Sequence, residues 1–182
     1  MQITQHWLNQ ATHCRSPNHD DRPDEADISL IVIHCISLPS GQYNNDNVDL
    51  FFSNKLPIQA DPSFQHIAKM QVSAHLFIRR TGAITQYVPF NMRAWHAGKS
   101  RYQGRSQCND FSIGIELEGT DDSPYQDAQY LKLAQVIKLL IAHYPQLTTQ
   151  QITGHSTIAP DRKSDPGHYF NWGKIEHLLK AP

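Results

Sequence analysis

The spacing of apolar residues along the chain predicts a sheet. Residues 28–34 form a run of mostly apolar, β-branched residues, which is typical of a strand that is buried on both faces. Residues 73–79 alternate between apolar and polar, a turn follows at Thr81-Gly82, and residues 84–88 return as the partner strand of a hairpin. Residues 152–155 predict a further short strand.

Residues 112–118 form a strand whose two faces differ in chemistry. The odd-numbered positions are Ile or Leu and share one face, whereas Gly114 and Glu116 lie on the other. A carboxylate on a buried strand is costly unless it is paired or functional. We therefore expect Glu116 to act in a site where Gly114 leaves room for a substrate. A structural salt bridge is the alternative.

Helical spacing appears in the C-terminal half of the chain. The apolar stripe of one long helix consists of Tyr130, Leu133, Ala134, Ile137, Leu140, Ile141 and Tyr144. We expect Ser123 to cap this helix, with Pro124 at its first position. Residues 48–55 predict a short helix, and Asn171 is the predicted cap of a last one.

The order of these elements predicts one α/β (α+β) domain over residues 1–182, with a central mixed sheet flanked by helices. A length of 182 residues suits one domain and is short for two. The polar, turn-rich residues 1–27 are expected to wrap the surface before the core begins. The net charge is −1 and no basic block occurs, which argues against a nucleic-acid partner. No apolar stretch approaches membrane-spanning length, so no membrane contact is expected.

The N-terminus and the cysteines predict a cytoplasmic location. Residues 1–7 lack the cationic start and the apolar run of a secretory signal. Cys14, Cys35 and Cys108 are too few for a disulfide framework and fit a reducing compartment. Cys35 follows His34 directly, and neighbouring side chains in a strand point to opposite faces, so a buried thiol is favoured over a nucleophile. A cysteine hydrolase that uses Cys35 or Cys108 is the alternative.

The richest chemical signal is a loop that follows the strand at 152–155. His155 ends that strand, and Asp165 lies in the next loop between Pro160 and Gly167. A catalytic zinc ion takes three protein ligands and leaves the fourth position to water. His155 and Asp165 can supply two ligands, and His34, at the end of the first apolar run, can supply the third. A solvated or core position is the alternative for each histidine taken alone.

Four further residues near these elements have side chains of chemical interest: Lys163, Trp95, His96 and His75. Lys163 can face the oxyanion of a tetrahedral intermediate, although a surface lysine is the alternative. Trp95 followed by His96 suits sugar stacking with a hydrogen-bonded edge, and a core tryptophan is equally compatible. We expect His75 to be a packed histidine or a residue that supports the ligands, rather than a fourth ligand.

Six segments in register resemble the zinc N-acetylmuramoyl-L-alanine amidases, a family related to peptidoglycan recognition proteins. They are residues 33–34 (IH), 72–75 (VSAH), 94–98 (AWHAG), 109–116 (NDFSIGIE), 153–155 (TGH) and 160–167 (PDRKSDPG). The resemblance covers roughly residues 10–180. Within the family, these segments are most similar to the cytoplasmic members that act on 1,6-anhydro muropeptides in cell-wall recycling.

The resemblance implies a role for each matching position. One zinc ion per chain (Zn2+) is expected on His34, His155 and Asp165, with Glu116 as general base and acid and Lys163 as transition-state stabiliser. Substrate contacts are expected from Arg93, Trp95, His96, Ala97 and Asn109. The expected substrate is a small soluble anhydro-muramyl-peptide, cleaved between N-acetylmuramic acid and L-alanine by a monomeric enzyme.

Three positions depart from the family pattern, and two other functions stay open. Family members often carry arginine where this chain has Gln71 and Gln107, and asparagine where it has Cys35. If those arginines hold substrate carboxylates, this chain holds the peptide stem differently. A broad-specificity amidase of the cell envelope and a non-catalytic peptidoglycan-binding relative are the alternatives.

Overall fold

The structure is a computed structural model that describes residues 1–67 and 69–181. Its strands are, in chain order, β1 Ile3–Thr4, β2 Trp7–Leu8, β3 Thr12–His13, β4 His19–Asp21, β5 Leu30–Ile36, β6 Leu76–Ile78, β7 Ile84–Gln86, β8 Met92–Ala94, β9 Arg101–Tyr102, β10 Arg105–Ser106, β11 Ser112–Glu118 and β12 Ile152–Gly154. Its helices are α1 Asn47–Phe52, α2 Asp127–His143, α3 His155–Ile158 and α4 Trp172–Lys180, with 3₁₀ turns at Ile58–Ala60, Pro62–His66 and Cys108–Asp110. Within the described residues, no helix is both long and apolar enough to cross a membrane.

A mixed sheet of six strands, in the order β12-β5-β11-β6-β7-β3, forms the centre of the molecule. Strands β5 and β11 pair in parallel over seven residues, from Leu30 opposite Ser112 to Ile36 opposite Glu118. Strands β12 and β6 extend this parallel core on either side, and β6 and β7 form the predicted antiparallel hairpin. The predicted central mixed sheet flanked by helices is therefore confirmed.

The two faces of the central strands pack against different layers. The odd-numbered apolar residues of β5 and β11 share one large core with the apolar stripe of α2 and with α4. The even-numbered Leu30 and Val32 of β5 face the opposite side and pack against a smaller cluster. His34 and Glu116 lie on this second face, near the carboxyl ends of their strands. Chemistry and helix packing are thus kept on opposite sides of the sheet.

Helix α2 begins at Asp127, so the prediction that Ser123 caps it was wrong. Gln126 is the N-cap, and its N–H donates to Oε1 of Gln129 at 3.0 Å in a reciprocal capping arrangement. The Ser123 hydroxyl instead lies 2.7 Å from Oγ1 of Thr120 in the preceding turn. The cap of α4 is as predicted, because the Asn171 side chain accepts the Lys174 N–H at 2.9 Å.

The N-terminal segment 1–27 is more deeply integrated than a surface wrapping. Strand β3 joins the edge of the main sheet beside β7, and β4 pairs with β8. Arg22 is only 5% exposed. Its guanidinium donates to the carbonyl oxygens of Phe90, Asn109, Asp110 and Ser112. The prediction missed this because the segment is polar and its role depends on carbonyl groups far along the chain.

Candidate metal centre and active site

His34, His155 and Asp165 bring three ligand atoms together in a buried cluster. Nδ1 of His34 lies 3.0 Å from both Nδ1 of His155 and Oδ2 of Asp165. Nδ1 of His155 lies 3.1 Å from the same carboxylate oxygen. The structure thus brings all three predicted ligands to one point.

Parallel strand order explains why these residues meet. His34 lies near the carboxyl end of β5, and His155 begins α3 directly after the neighbouring strand β12. Ligand sites in α/β sheets form outside the carboxyl ends of parallel strands. The Ser156 N–H donates to the carbonyl oxygen of Asp165 at 2.9 Å, which folds the loop back onto α3.

The donor set fits a divalent metal ion. Tetrahedral zinc with ligand distances of about 2.0–2.1 Å separates its ligands by roughly 3.3 Å, close to the three separations found here. Nε2 of His155 donates to the carbonyl oxygen of Ala97 at 3.1 Å, which leaves the Nδ1 lone pair for a metal. Two imidazole nitrogens and one carboxylate oxygen that lie within 4.8 Å of one another are a donor set able to bind a metal ion.

The protonation states of the cluster also suit a cation. Burial, together with the nearby His155, lowers the pKa of His34 to about 4, although Asp165 opposes this shift. Burial by itself would raise the pKa of Asp165, but the nitrogens of His155 and His34 outweigh it and hold that pKa below its usual range. A neutral imidazole and an ionised carboxylate are the forms that bind a metal.

Glu116 lies beside the cluster as a buried and incompletely paired carboxyl group. It is 9% exposed, and its Oε2 atom has no hydrogen-bond partner among the described residues. Burial and the negative charge of Asp165 raise the pKa of Glu116 well above its usual value, while Lys163 opposes the shift. A buried polar atom without a partner is costly and is typical of a functional site.

A cavity of about 240 Å³ opens onto the cluster. Its polar side is formed by His34, Glu116, His155, Lys163 and Asp165, and its apolar side by Leu38, Phe51, Phe52, Ile67, Met70 and Val72. Trp95 and His96 also line it. Pockets that combine an apolar wall with a few convergent polar groups are typical of small-molecule sites.

Three residues expected to contact substrate, namely Arg93, Ala97 and Asn109, are not among the described residues that line this cavity. Arg93 forms ion pairs with Asp20 and Asp110. Oδ1 of Asn109 accepts the N–H groups of His96 and Ala97 at 3.1 and 2.8 Å. These contacts hold the segment from Arg93 to Ala97 against the sheet, so Arg93 and Asn109 position the cavity wall rather than form it.

His96 occupies the space beside Gly114 that we expected a substrate to use. A Cβ atom at residue 114 would lie 2.4 Å from Cγ of His96. Both ring nitrogens of His96 have protein partners, since Nε2 lies 3.1 Å from Oγ of Ser112 and Nδ1 lies 2.9 Å from Nε2 of His34. Burial, and then the neighbouring His34, lowers the pKa of His96 well below its ordinary value. Sequence reasoning missed Ser112, whose only signal is a hydroxyl at the start of a buried strand.

The cysteines are not arranged as nucleophiles. Cys35 packs against the large core on the face opposite to His34, as predicted, and its thiol donates to Oδ1 of Asp121 at 3.1 Å. Burial raises the pKa of the Cys35 thiol far above its usual range, and burial also raises that of Cys108. A thiol that stays protonated is a poor nucleophile.

The chain matches the family model described as N-acetylmuramoyl-L-alanine amidase over residues 24–168. It is 52% identical over 179 residues to the 1,6-anhydro-N-acetylmuramyl-L-alanine amidase AmpD of Escherichia coli K12, covering 98% of this chain and 97% of that protein. Both matches extend well beyond the residues of the site.

Solved structures show the same relationship. A crystal structure of a selenomethionine derivative of AmpD matches with a TM-score of 0.96 and 51% identity, over 98% of this chain and 99% of that one. The amidase AmiD of E. coli, in complex with the substrate anhydro-N-acetylmuramic acid-L-Ala-D-γ-Glu-L-Lys, matches with a TM-score of 0.61 and 32% identity. That match covers 84% of this chain and 57% of AmiD.

Proposed function

This chain belongs to the N-acetylmuramoyl-L-alanine amidase family, and from that membership we propose that it cleaves 1,6-anhydro-N-acetylmuramyl-L-alanine in cell-wall recycling with one zinc ion. It is an amidase that hydrolyses the bond between the lactyl group of the sugar and the nitrogen of L-alanine. The resemblance to AmpD over nearly the whole chain supports the anhydro sugar as the substrate form.

One observation carries the proposed mechanism. The ligand atoms of His34, His155 and Asp165 lie 3.0–3.1 Å from one another. Beside them is the buried Glu116, whose Oε2 atom has no hydrogen-bond partner among the described residues. Stability alone does not explain this arrangement, because uncompensated buried polar atoms weaken a fold. A bound cation would satisfy all three ligand atoms at once.

Zinc, when bound by His34, His155 and Asp165, would polarise the scissile carbonyl and make a water molecule more acidic. Glu116 supplies the proton transfer that the reaction needs. Its Oε2 takes a proton from the attacking water while the water oxygen bonds to the carbonyl carbon. The same carboxyl then gives that proton to the nitrogen of L-alanine as the carbon–nitrogen bond breaks. The raised pKa of Glu116 suits a group that must both take and return a proton.

Lys163 and the cavity walls complete the proposed site. The ammonium group of Lys163 stabilises the negative charge that develops on the carbonyl oxygen. The apolar wall and Trp95 bind the bicyclic sugar, which exposes a flat face suited to an aromatic ring. The ring of His96 forms part of the cavity wall, and Arg93 and Asn109 hold the segment that carries this ring in place.

We propose that the enzyme is a cytoplasmic monomer. All three cysteines are free, which suits a reducing compartment. Cell fractionation tests the location, and light scattering of the purified protein tests the oligomeric state. A periplasmic fraction or a stable dimer would contradict these two points and leave the chemistry unaffected.

Metal removal tests the zinc proposal directly. The purified protein is assayed on an anhydro-muramyl-tripeptide, with the zinc content measured in the same samples. Chelation is expected to abolish peptide release, and added zinc to restore it. Full turnover by metal-free protein would contradict the zinc proposal, and binding without cleavage would point to a non-catalytic peptidoglycan-binding relative.

A further inference from the structure

We propose that His96 is a positioning residue that keeps the hydrogen of His34 on Nε2, so that the Nδ1 lone pair of His34 points at the metal. This inference rests on the proposed zinc function. It gives His96 a role in the metal site rather than in sugar binding.

A chain of contacts leads from the metal cluster to a backbone carbonyl group. Nε2 of His34 lies 2.9 Å from Nδ1 of His96. Nε2 of His96 lies 3.1 Å from Oγ of Ser112, and that hydroxyl donates to the carbonyl oxygen of Cys108 at 2.5 Å. Each link lies within hydrogen-bond distance.

The direction of every link follows from the last one. The carbonyl oxygen of Cys108 can only accept, so it takes the one hydroxyl hydrogen of Ser112. Oγ of Ser112 must therefore accept from Nε2–H of His96. A neutral imidazole carries one N–H, so Nδ1 of His96 is an acceptor. The hydrogen between the two rings then belongs to Nε2 of His34.

This order leaves a free lone pair where a metal needs it. With its hydrogen on Nε2, His34 has a lone pair on Nδ1, the atom that lies 3.0 Å from both His155 Nδ1 and Asp165 Oδ2. Hydrogen-bond partners of this kind fix the tautomer and ring orientation of a metal-ligating histidine. His155 achieves the same result differently, because its Nε2 donates to the backbone of Ala97, which no side-chain substitution can remove.

The ring of His96 is also held in space. Gly114 leaves room for it, since a Cβ atom there would lie 2.4 Å from Cγ of His96. The backbone N–H of His96 donates to Asn109. The rings of His34 and His96 meet edge to face, with centroids 5.0 Å apart and planes at 84°. The ring nitrogens of His96 contact Ser112 on one side and His34 on the other, so the orientation of the His96 ring can fix that of His34.

Two substitutions at position 96 separate positioning from packing. His96→Phe keeps a ring of similar size but has no acceptor, whereas His96→Asn is smaller and places Oδ1 close to the position of the original Nδ1. Zinc Kd is measured by competition with a chelator, alongside thermal unfolding of the metal-free proteins. We expect Phe to weaken zinc binding by about 10–100-fold, the range for partners of metal ligands, and Asn to weaken it less.

A purely structural role would give the opposite rank order, because Asn leaves a cavity. The proposal would be overturned if His96→Phe bound zinc with the wild-type Kd, or if it bound zinc more tightly than His96→Asn.

A second measurement uses the wild-type protein and does not depend on variant folding. Two-bond proton–nitrogen NMR correlations of the imidazole rings, recorded with zinc bound, report which nitrogen carries each hydrogen. We expect His34 and His96 both to be protonated on Nε2, and a hydrogen on Nδ1 of His96 or zinc on Nε2 of His34 would overturn the inference. If wild type binds no zinc in the chelator assay, the proposed function fails instead, and the two failures are therefore distinguishable.

Discussion

Replacing Glu116 by glutamine tests the proposed proton transfer with little change in shape. Glu116 is 9% exposed, and its Oε2 atom has no partner among the described residues, so few contacts are lost. An amide cannot take a proton from water. We therefore expect kcat to fall by about 10²–10⁴-fold, the usual contribution of a general base. Zinc content should stay at one ion per chain, because Glu116 is not among the three converging ligands.

The same substitution has a pH-dependent effect on the stability of the metal-free protein. Burial and then Asp165 raise the pKa of Glu116 well above its usual 4.5. Below pH 4.5 the carboxyl group is neutral in both the folded and the unfolded chain, and the two proteins should have similar stability. Above that pH the unfolded wild-type chain loses its proton first, so the free energy of unfolding falls. The glutamine variant has no such loss, and its relative stability should increase with pH.

Glu118→Gln is the matched control on the same strand. Glu118 is only 3% exposed, and its carboxylate accepts the N–H groups of Asn44 and Arg80 at 2.8 and 2.9 Å. We expect this variant to lose about 1–3 kcal/mol of stability, because one acceptor is lost, and to keep its kcat. Peptide release is followed by chromatography and unfolding by urea titration at several pH values. Near-wild-type kcat in Glu116→Gln would refute the assigned base, and a stability difference that is constant with pH would refute the raised pKa.

Three further predictions test the metal, the oxyanion and the substrate. Asp165→Ala should lose zinc on dialysis, and a variant that retains stoichiometric zinc would show that Asp165 is not a ligand. Lys163→Met should retain zinc and lose about 10²–10³-fold in kcat, the usual effect of removing an oxyanion-stabilising group. An unchanged kcat would show that Lys163 is an ordinary surface lysine. The kcat/KM for anhydro-muramyl-tripeptide should exceed the values for the ring-opened sugar and for intact sacculi, and equal values would contradict recycling as the function.

Local patterns in the sequence were sufficient to predict the central strands and the helix stripe. The alternation at 112–118 matches β11 residue for residue, and the stripe from Tyr130 to Tyr144 packs in the large core. Strand β5 was predicted at residues 28–34 and lies two residues later, at Leu30–Ile36. These elements are predictable because burial of one face requires apolar residues at every second position of a strand and at every third or fourth position of a helix.

Long-range contacts account for what the sequence did not predict. The positions of His34, His155 and Asp165 at strand ends and in the following loop, together with the motif resemblance, predicted the three ligands that the structure brings together. The role of Gly114 depends on the ring of His96, which approaches from a distant loop, and no pattern within β11 indicates it. The integration of segment 1–27 depends likewise on carbonyl groups up to 90 residues further along the chain, which only the folded molecule brings to Arg22.

The separation of the two sheet faces has a consequence for protein engineering. Odd-numbered residues of β5 and β11 belong to the helix layer, whereas His34, Ser112, Gly114 and Glu116 belong to the cavity side. Designers can therefore diversify the cavity loops and α1 to change substrate preference while keeping the helix layer as a constant scaffold. Single-residue insertions within either strand are the changes to avoid, since one step of register exchanges the two faces and moves the functional side chains into the helix core.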